Sequence, residues 1–235
     1  MSTTTHPVPD PAAPHLTIPE VGSTTNAIAL LLHGGREVGD GPVRPWQGAV
    51  LRMRPFATAI RRHDPTVAVT SLRYRHQGWN GSAEDPLVDV GWALDALRAT
   101  VGQVPVVLVG HSMGGRAALR SAGDPSVVGV VALAPWLPRR EPVAQLAGRD
   151  VVLLHGARDR TTNPFGTAAF AERAAGVADA VVSLRIGGTG HAMMARADVW
   201  HRLTARFVAA IATGTPIDAS HITVNGVLST RPETA

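Results

Sequence analysis

VPVVLVGHSMGGRAAL, Val104–Leu119, carries an apolar run straight into a serine framed by glycines and then into a helix-forming segment. Within it, Gly110-His111-Ser112-Met113-Gly114 has the form G-x-S-x-G. Between a predicted strand and a predicted helix, such a sequence turns so sharply that its central residue is driven into a strained backbone conformation. The flanking glycines let neighbouring chain segments approach closely, and the hydroxyl is held clear of the backbone. A serine that merely capped the following helix would require neither the paired glycines nor the apolar run. Ser112 therefore reads as a nucleophile. The same turn presents the Met113 N–H at the start of a helix, where unpaired amides favour a developing negative charge.

Outward from this corner, apolar runs alternate with segments of helical pattern, the rhythm of βαβ units. Strands are predicted at Ala27–Leu32, Val67–Leu72, Val104–Val109, Val127–Ala134, Val151–His155 and Val181–Ile186. Helices are predicted at Pro45–Arg62, Asp85–Val101, Gly115–Ala122, Pro164–Ala175 and Met193–Ile211, with Asp85 as a cap and Pro86 in the first turn. Several strands are continuously apolar, as expected when both faces are buried. The fold class is α/β: a mostly parallel central sheet with helices on both faces. WLPRREPVAQLAGRD, between two strands, is about fifteen residues long, too short for an inserted domain, so any lid is minimal. One domain is expected over residues 16–212. The proline-rich lead-in 1–15, lacking the basic start and apolar block of a secretory signal, is expected to be disordered. Residues 213–235 read as a partly ordered extension.

Composition narrows the function classes. All 22 basic residues are arginine, and the chain is 45% hydrophobic with no cysteine. Cysteine nucleophiles, thiolate metal sites and disulfides are excluded, and a cytoplasmic location is the default expectation. The arginines are dispersed, paired only at Arg61-Arg62 and Arg139-Arg140, which argues against a nucleic-acid surface. No apolar run is long enough to span a bilayer. Neither a metal spacing such as H-E-x-x-H nor a phosphate-binding loop is present.

A serine hydroxyl becomes a useful nucleophile when a histidine takes its proton and a carboxylate orients that histidine. In this topology both follow the serine in chain order, each at the carboxyl end of a strand. Asp159 lies just beyond the strand Val151–His155, and His191 lies on the glycine loop after Val181–Ile186. Among rival acids, Glu172 falls in mid-helix and Asp179 precedes a strand. The turn His33-Gly34-Gly35-Arg36 would supply the second oxyanion donor, the Gly35 N–H, with Arg36 the near alternative. His33, His111 and His155 flank these loops and read as structural, hydrogen-bonding loop backbone.

On LLLHGG, GHSMGG, LHGARDRTTNP and GGTGHAMM, in that order, the chain resembles the α/β-hydrolase superfamily over Ala27–Ile211. The short segment before the acid strand is similar to that of compact, lidless members such as small carboxylesterases and dienelactone-hydrolase-like proteins. Dienelactone hydrolases proper use a cysteine, so their architecture carries over and their substrate does not. The resemblance implies hydrolysis of a small-molecule ester or thioester without a cofactor. The alternative is a non-catalytic small-molecule-binding or regulatory protein on the same fold. Trp136, Arg36 and Trp79 are the candidate substrate contacts; Trp136 and Met113 are candidates for the acyl pocket, Met193 and Met194 are close enough to contribute, and core packing would explain all four equally. The loop Arg73–Asn80 reads either as a rim for an acidic substrate or as a loop held by ordinary salt bridges.

Overall fold

The computed structural model describes residues 13–217, together with the backbone of 228–229. In chain order the elements are β1 (His15–Leu16), β2 (Ala27–Leu32), α1 (Gly48–Leu51), α2 (Arg54–His63), β3 (Val67–Arg73), α3 (Asp85–Val101), β4 (Val106–His111), α4 (Met113–Arg120), β5 (Val127–Leu133), β6 (Asp150–Gly156), α5 (Pro164–Ala174), β7 (Ala180–Ile186), α6 (Ala197–Ala212) and β8 (Leu228–Ser229). They build one eight-stranded sheet in the order β1-β3-β2-β4-β5-β6-β7-β8. The pairs from β3 to β7 are all parallel, and only the two-residue edge strands β1 and β8 run antiparallel.

Period-two alternation sends the strand side chains into two separate cores. Ala29, Leu31, Val109, Val131 and Leu154 meet α2 and α6 through Phe56, Ile60, Trp200 and Phe207. Ile28, Leu30, Leu108, Val130 and Leu153 meet α3, α4 and α5 through Leu94, Ala117 and Phe170. With helices on both faces, β2 and β4 are buried along their whole length, which is why they read as unbroken apolar runs.

Local departures from the sequence expectations have local causes. The helix expected over Pro45–Arg62 is two helices, because Pro55 in the first turn of α2 has no N–H to continue the ladder from α1. The helix expected from Met193 starts at Ala197, since Met193 (φ 57°) and Arg196 (φ 53°) are left-handed and no α-helix accommodates them. Asp85 is the first helical residue rather than the cap: Glu84 precedes it at φ 46°, and the Asp85 carboxylate accepts from Asn80 Nδ2 at 2.8 Å. His15, placed in the lead-in, already pairs with Arg73 in β1, whereas residues 1–12 lie outside the described residues. Within the extension, Leu228 and Ser229 pair with Arg185 and Leu184 at the sheet edge. The β5-to-β6 connection carries a single 3-10 turn, Ala144–Leu146.

That connection is held by a buried charge. Glu141 is 2% exposed and accepts from Arg116 Nε at 2.9 Å and from Arg120 Nη1 at 3.4 Å, while its carbonyl accepts from Arg173. Arg116 in turn lies over the Trp79 ring, 3.8 Å from its centroid, with Trp136 at 4.8 Å. Removing one partner of such a pair strands the other charge, and breaking a buried pair typically costs about 3–5 kcal/mol. Glu141→Ala is accordingly expected to lower unfolding stability by about 3 kcal/mol or more, measured by urea denaturation. An unchanged midpoint would show that the arginines find water instead.

Candidate active site

β4 ends at the elbow anticipated from its glycines. Ser112 sits between β4 and α4 at φ 55°, ψ −116°, a conformation that L-residues hold only under constraint. A Cβ on Gly114 would lie 2.3 Å from the Leu32 carbonyl oxygen, and one on Gly110 would lie 2.1 Å from that of Gly114. Both positions therefore need glycine so that β2 and α4 can close on the turn. The Ser112 side chain makes no capping bond to α4.

Instead the hydroxyl faces His191, with Oγ 3.0 Å from Nε2. His191 stands on the loop after β7, and its Nδ1 lies 2.8 Å from Asp159 Oδ2 on the loop after β6. These partners fix the tautomer: Nδ1–H donates to the carboxylate, leaving the Nε2 lone pair to accept from the serine. Asp159 is itself over-determined. Its Oδ1 accepts from the Thr161 and Thr162 amides at 2.8 and 3.0 Å, and its Oδ2 from the Thr162 hydroxyl at 2.9 Å. Burial alone would raise the Asp159 pKa, but the Thr162 amide, His191 and the Thr161 amide outweigh it and hold the value at about 2. The carboxylate thus stays ionised beside His191.

The oxyanion candidates separate cleanly. The Arg36 N–H is spent on the Gln77 carbonyl at 2.8 Å, which removes it as the alternative donor. Among the described residues, the Gly35 and Met113 amides have no acceptor. The remaining candidates fall differently from their sequence reading. Trp79 is 3% exposed beneath Arg116, leaving little of its ring to a substrate, and Met113 is 1% exposed against Gly35. Trp136 is partly buried, its N–H bonded to the Ser112 carbonyl at 3.1 Å and its ring edge-on to Trp79. The Arg36 side chain is exposed. The Arg73–Asn80 loop is tied to its neighbours by ordinary bonds: Arg73 donates to the Val43 carbonyl, and Arg75 pairs with Asp85 and the buried Asp89 of α3.

Three flanking histidines form a buried neutral set. His33 donates through Nδ1 to the Gly34 carbonyl and accepts the Tyr74 amide at Nε2, shaping the turn that carries Gly35. His111 donates to the His191 carbonyl at 3.0 Å. His155 departs from the backbone role expected of it, bonding Thr167 Oγ1 at 2.8 Å and Asp159 Oδ2 at 3.1 Å. The roles of His155, Thr161 and Thr162 were missed from sequence, although a carboxylate two and three residues before threonine amides is a recognisable Asx-turn pattern.

Burial, the largest cause, lowers His33 to about 4, His111 to about 3 and His155 to about 4 from the ordinary 6.5. The unfolded chain thus takes up these protons first as pH falls. Stability present above pH 6.5 is lost as pH drops through 6.5 toward 4, by about 1.4 kcal/mol per pH unit for each such histidine. Urea denaturation at stepped pH checks this, and a stability flat between pH 7 and 5 would contradict it.

The family that matches this chain, over residues 29–221, is described as the Alpha/beta hydrolase family. Solved structures share the fold at low identity. An alpha-beta serine hydrolase homologue from Coxiella burnetii aligns with a TM-score of 0.61 at 16% identity, covering 83% of this chain and 90% of its own. Est1E from Butyrivibrio proteoclasticus with ferulic acid bound gives 0.64 at 11% identity, covering 86% and 95%. A monoacylglycerol lipase from Paleococcus ferrophilus gives 0.61 at 15% identity, covering 85% and 98%. Among curated proteins, none matches the sequence. No described helix is long and apolar enough to cross a membrane, and among the described residues no group of three or more His, Asp or Glu is placed to hold a metal.

Proposed function

Because the chain belongs to the alpha/beta hydrolase family, we propose that it is a serine hydrolase cleaving a carboxylic ester or thioester of a small molecule through an acyl-enzyme. The single observation that carries this reading is the continuous relay from Ser112 Oγ through His191 to Asp159, at 3.0 and 2.8 Å.

Ser112 Oγ attacks the carbonyl carbon while His191 Nε2 takes its proton, and Asp159 stabilises the resulting imidazolium. The negative charge gathering on the carbonyl oxygen is received by the Gly35 and Met113 amides, the latter at the amino terminus of α4. Collapse of the tetrahedral adduct breaks the bond to the alcohol or thiol, which leaves with the proton from His191. Water then repeats the sequence on the acyl-serine, with His191 as base, releasing the acid and restoring the hydroxyl. Two observations support these roles: the serine caps nothing, and the Arg36 amide is already bonded.

Incubation with a fluorophosphonate followed by peptide mass spectrometry tests the reading. A phosphonyl adduct on Ser112 that forms at least a thousandfold more slowly when His191 is replaced supports an activated nucleophile, since removal of the base forfeits roughly that much or more. Protein that stays unmodified at equal probe concentration would overturn it.

A further inference from the structure

The turn that follows His191 opens onto an apolar cavity of about 370 Å³. Its walls come from two places far apart in the chain: Leu51, Arg52 and Phe56 from α1, α2 and their junction, and Met193, Met194 and His201 from the 192–197 turn and α6. Two constraints shape it. The Arg52 guanidinium donates to the Ala192 carbonyl, one residue beyond His191, and Met193 is held left-handed at φ 57°. The His201 and Phe56 rings stand nearly perpendicular with centroids 4.6 Å apart, so this wall too is aromatic in character. At the mouth, Met194 is 77% and Leu51 36% exposed, an apolar pair facing water in a chain whose other methionine on this turn is buried. Among the described residues, no carboxylate lines the cavity. A larger cavity of about 680 Å³ lies against Thr17–Glu20 and the outer edge of β3, away from the turn that follows His191.

Position relative to the chemistry says which part of a substrate the smaller cavity takes. In acylation the leaving oxygen must come within hydrogen-bond reach of the histidine that protonates it. A cavity whose near wall is the backbone immediately after His191 is therefore placed to border the group that His191 protonates. Its volume falls at the lower end of ligand pockets, roughly 300–1,000 Å³, which suits a single short hydrocarbon portion.

We infer that this cavity is a leaving-group subsite for an unbranched or aromatic, uncharged alcohol or thiol, and that Leu51 and Met194 set the preference at its mouth. The inference rests on the serine-hydrolase reading above. Apolar burial contributes to kcat/KM whenever it accompanies the transition state, so each added methylene that enters the cavity raises it about fourfold.

Two ester series on the full chain, followed by pH-stat, distinguish the possibilities: acetates of linear alcohols from ethanol to octanol, and ethyl esters of linear acids from acetic to octanoic. Fluorophosphonate labelling of Ser112 is run on the same preparation. The expected result is kcat/KM rising about fourfold per methylene along the alcohol series until the cavity is full, with less than twofold per methylene along the acid series. Met194→Asp and Leu51→Asp, both at exposed positions, are each expected to reduce the alcohol slope below twofold per methylene. A slope confined to the acid series, or an alcohol slope that survives both substitutions, overturns the inference. Labelled Ser112 with a flat alcohol series overturns it while leaving the serine-hydrolase reading intact. Unlabelled Ser112 with no ester turnover overturns both.

Discussion

Ser112→Ala is expected to lower kcat on a small ester by about a millionfold, the scale of loss when a serine nucleophile is removed from an intact triad. On the proposed mechanism the residue reacts because its hydroxyl is 3.0 Å from an imidazole whose other nitrogen is already committed to Asp159, and nothing else in the described site stands in that geometry. The fold should not suffer. Alanine occupies the same space at φ 55°, and the Ser112 amide and carbonyl keep their bonds to Leu133, Arg116 and Trp136. Active-site strain is tolerated for function rather than stability, so the melting temperature should be unchanged or slightly raised. Steady-state assay beside a thermal melt separates the cases. An alanine protein with a native melt and more than a thousandth of the parental rate would end the nucleophile assignment.

Asp159→Asn is expected to reduce kcat by about ten-thousandfold, with geometry largely preserved. An asparagine oxygen can keep the Thr161 and Thr162 amides that now bond Oδ1. Its amide then faces His191 Nδ1 and His155 Nε2 where the carboxylate oxygen accepted from both. Two donors cannot face a donor, so His191 is driven to carry its proton on Nε2 and can no longer take one from Ser112. His155 suffers the same inversion toward Thr167, giving this substitution a structural echo that Ser112→Ala lacks. The informative pairing is the rate with the imidazole N–H proton spectrum: a ten-thousandfold loss with a shifted His191 resonance fits the tautomer argument, whereas a loss under tenfold would make Asp159 dispensable.

Both expectations trace to features that differ in how visible they are from the chain alone. The elbow was legible because its geometry is local: an apolar strand, two glycines and a helix lie within one short stretch, and backbone sterics act over just that range. Asp159 and His191 were legible because a parallel sheet puts all its carboxyl ends on one edge, so a position just after a strand already implies proximity to Ser112. Buried strands announced themselves as apolar runs for the same reason of two-sided covering.

Other features depended on partners that no local pattern names. Whether Gly35 or Arg36 keeps a free amide was decided by the Gln77 carbonyl on the loop after β3, which takes the Arg36 N–H. The start of α6 was moved by a turn that Arg52 braces from 140 residues away. Trp79, read as a substrate contact, became the floor of a buried Arg116–Glu141 pair, and the apolar cavity beside His191 exists only where α2 packs on α6. By itself the sequence determined the fold class, the order of the strands' chemistry-bearing ends and the corner that strains the serine, since these follow from periodicity and short-range sterics. Only the tertiary structure decided which amides stay free, which aromatic rings are covered and where a substrate's hydrocarbon finds shelter, because each is set by sheet register and helix docking between residues distant in the chain.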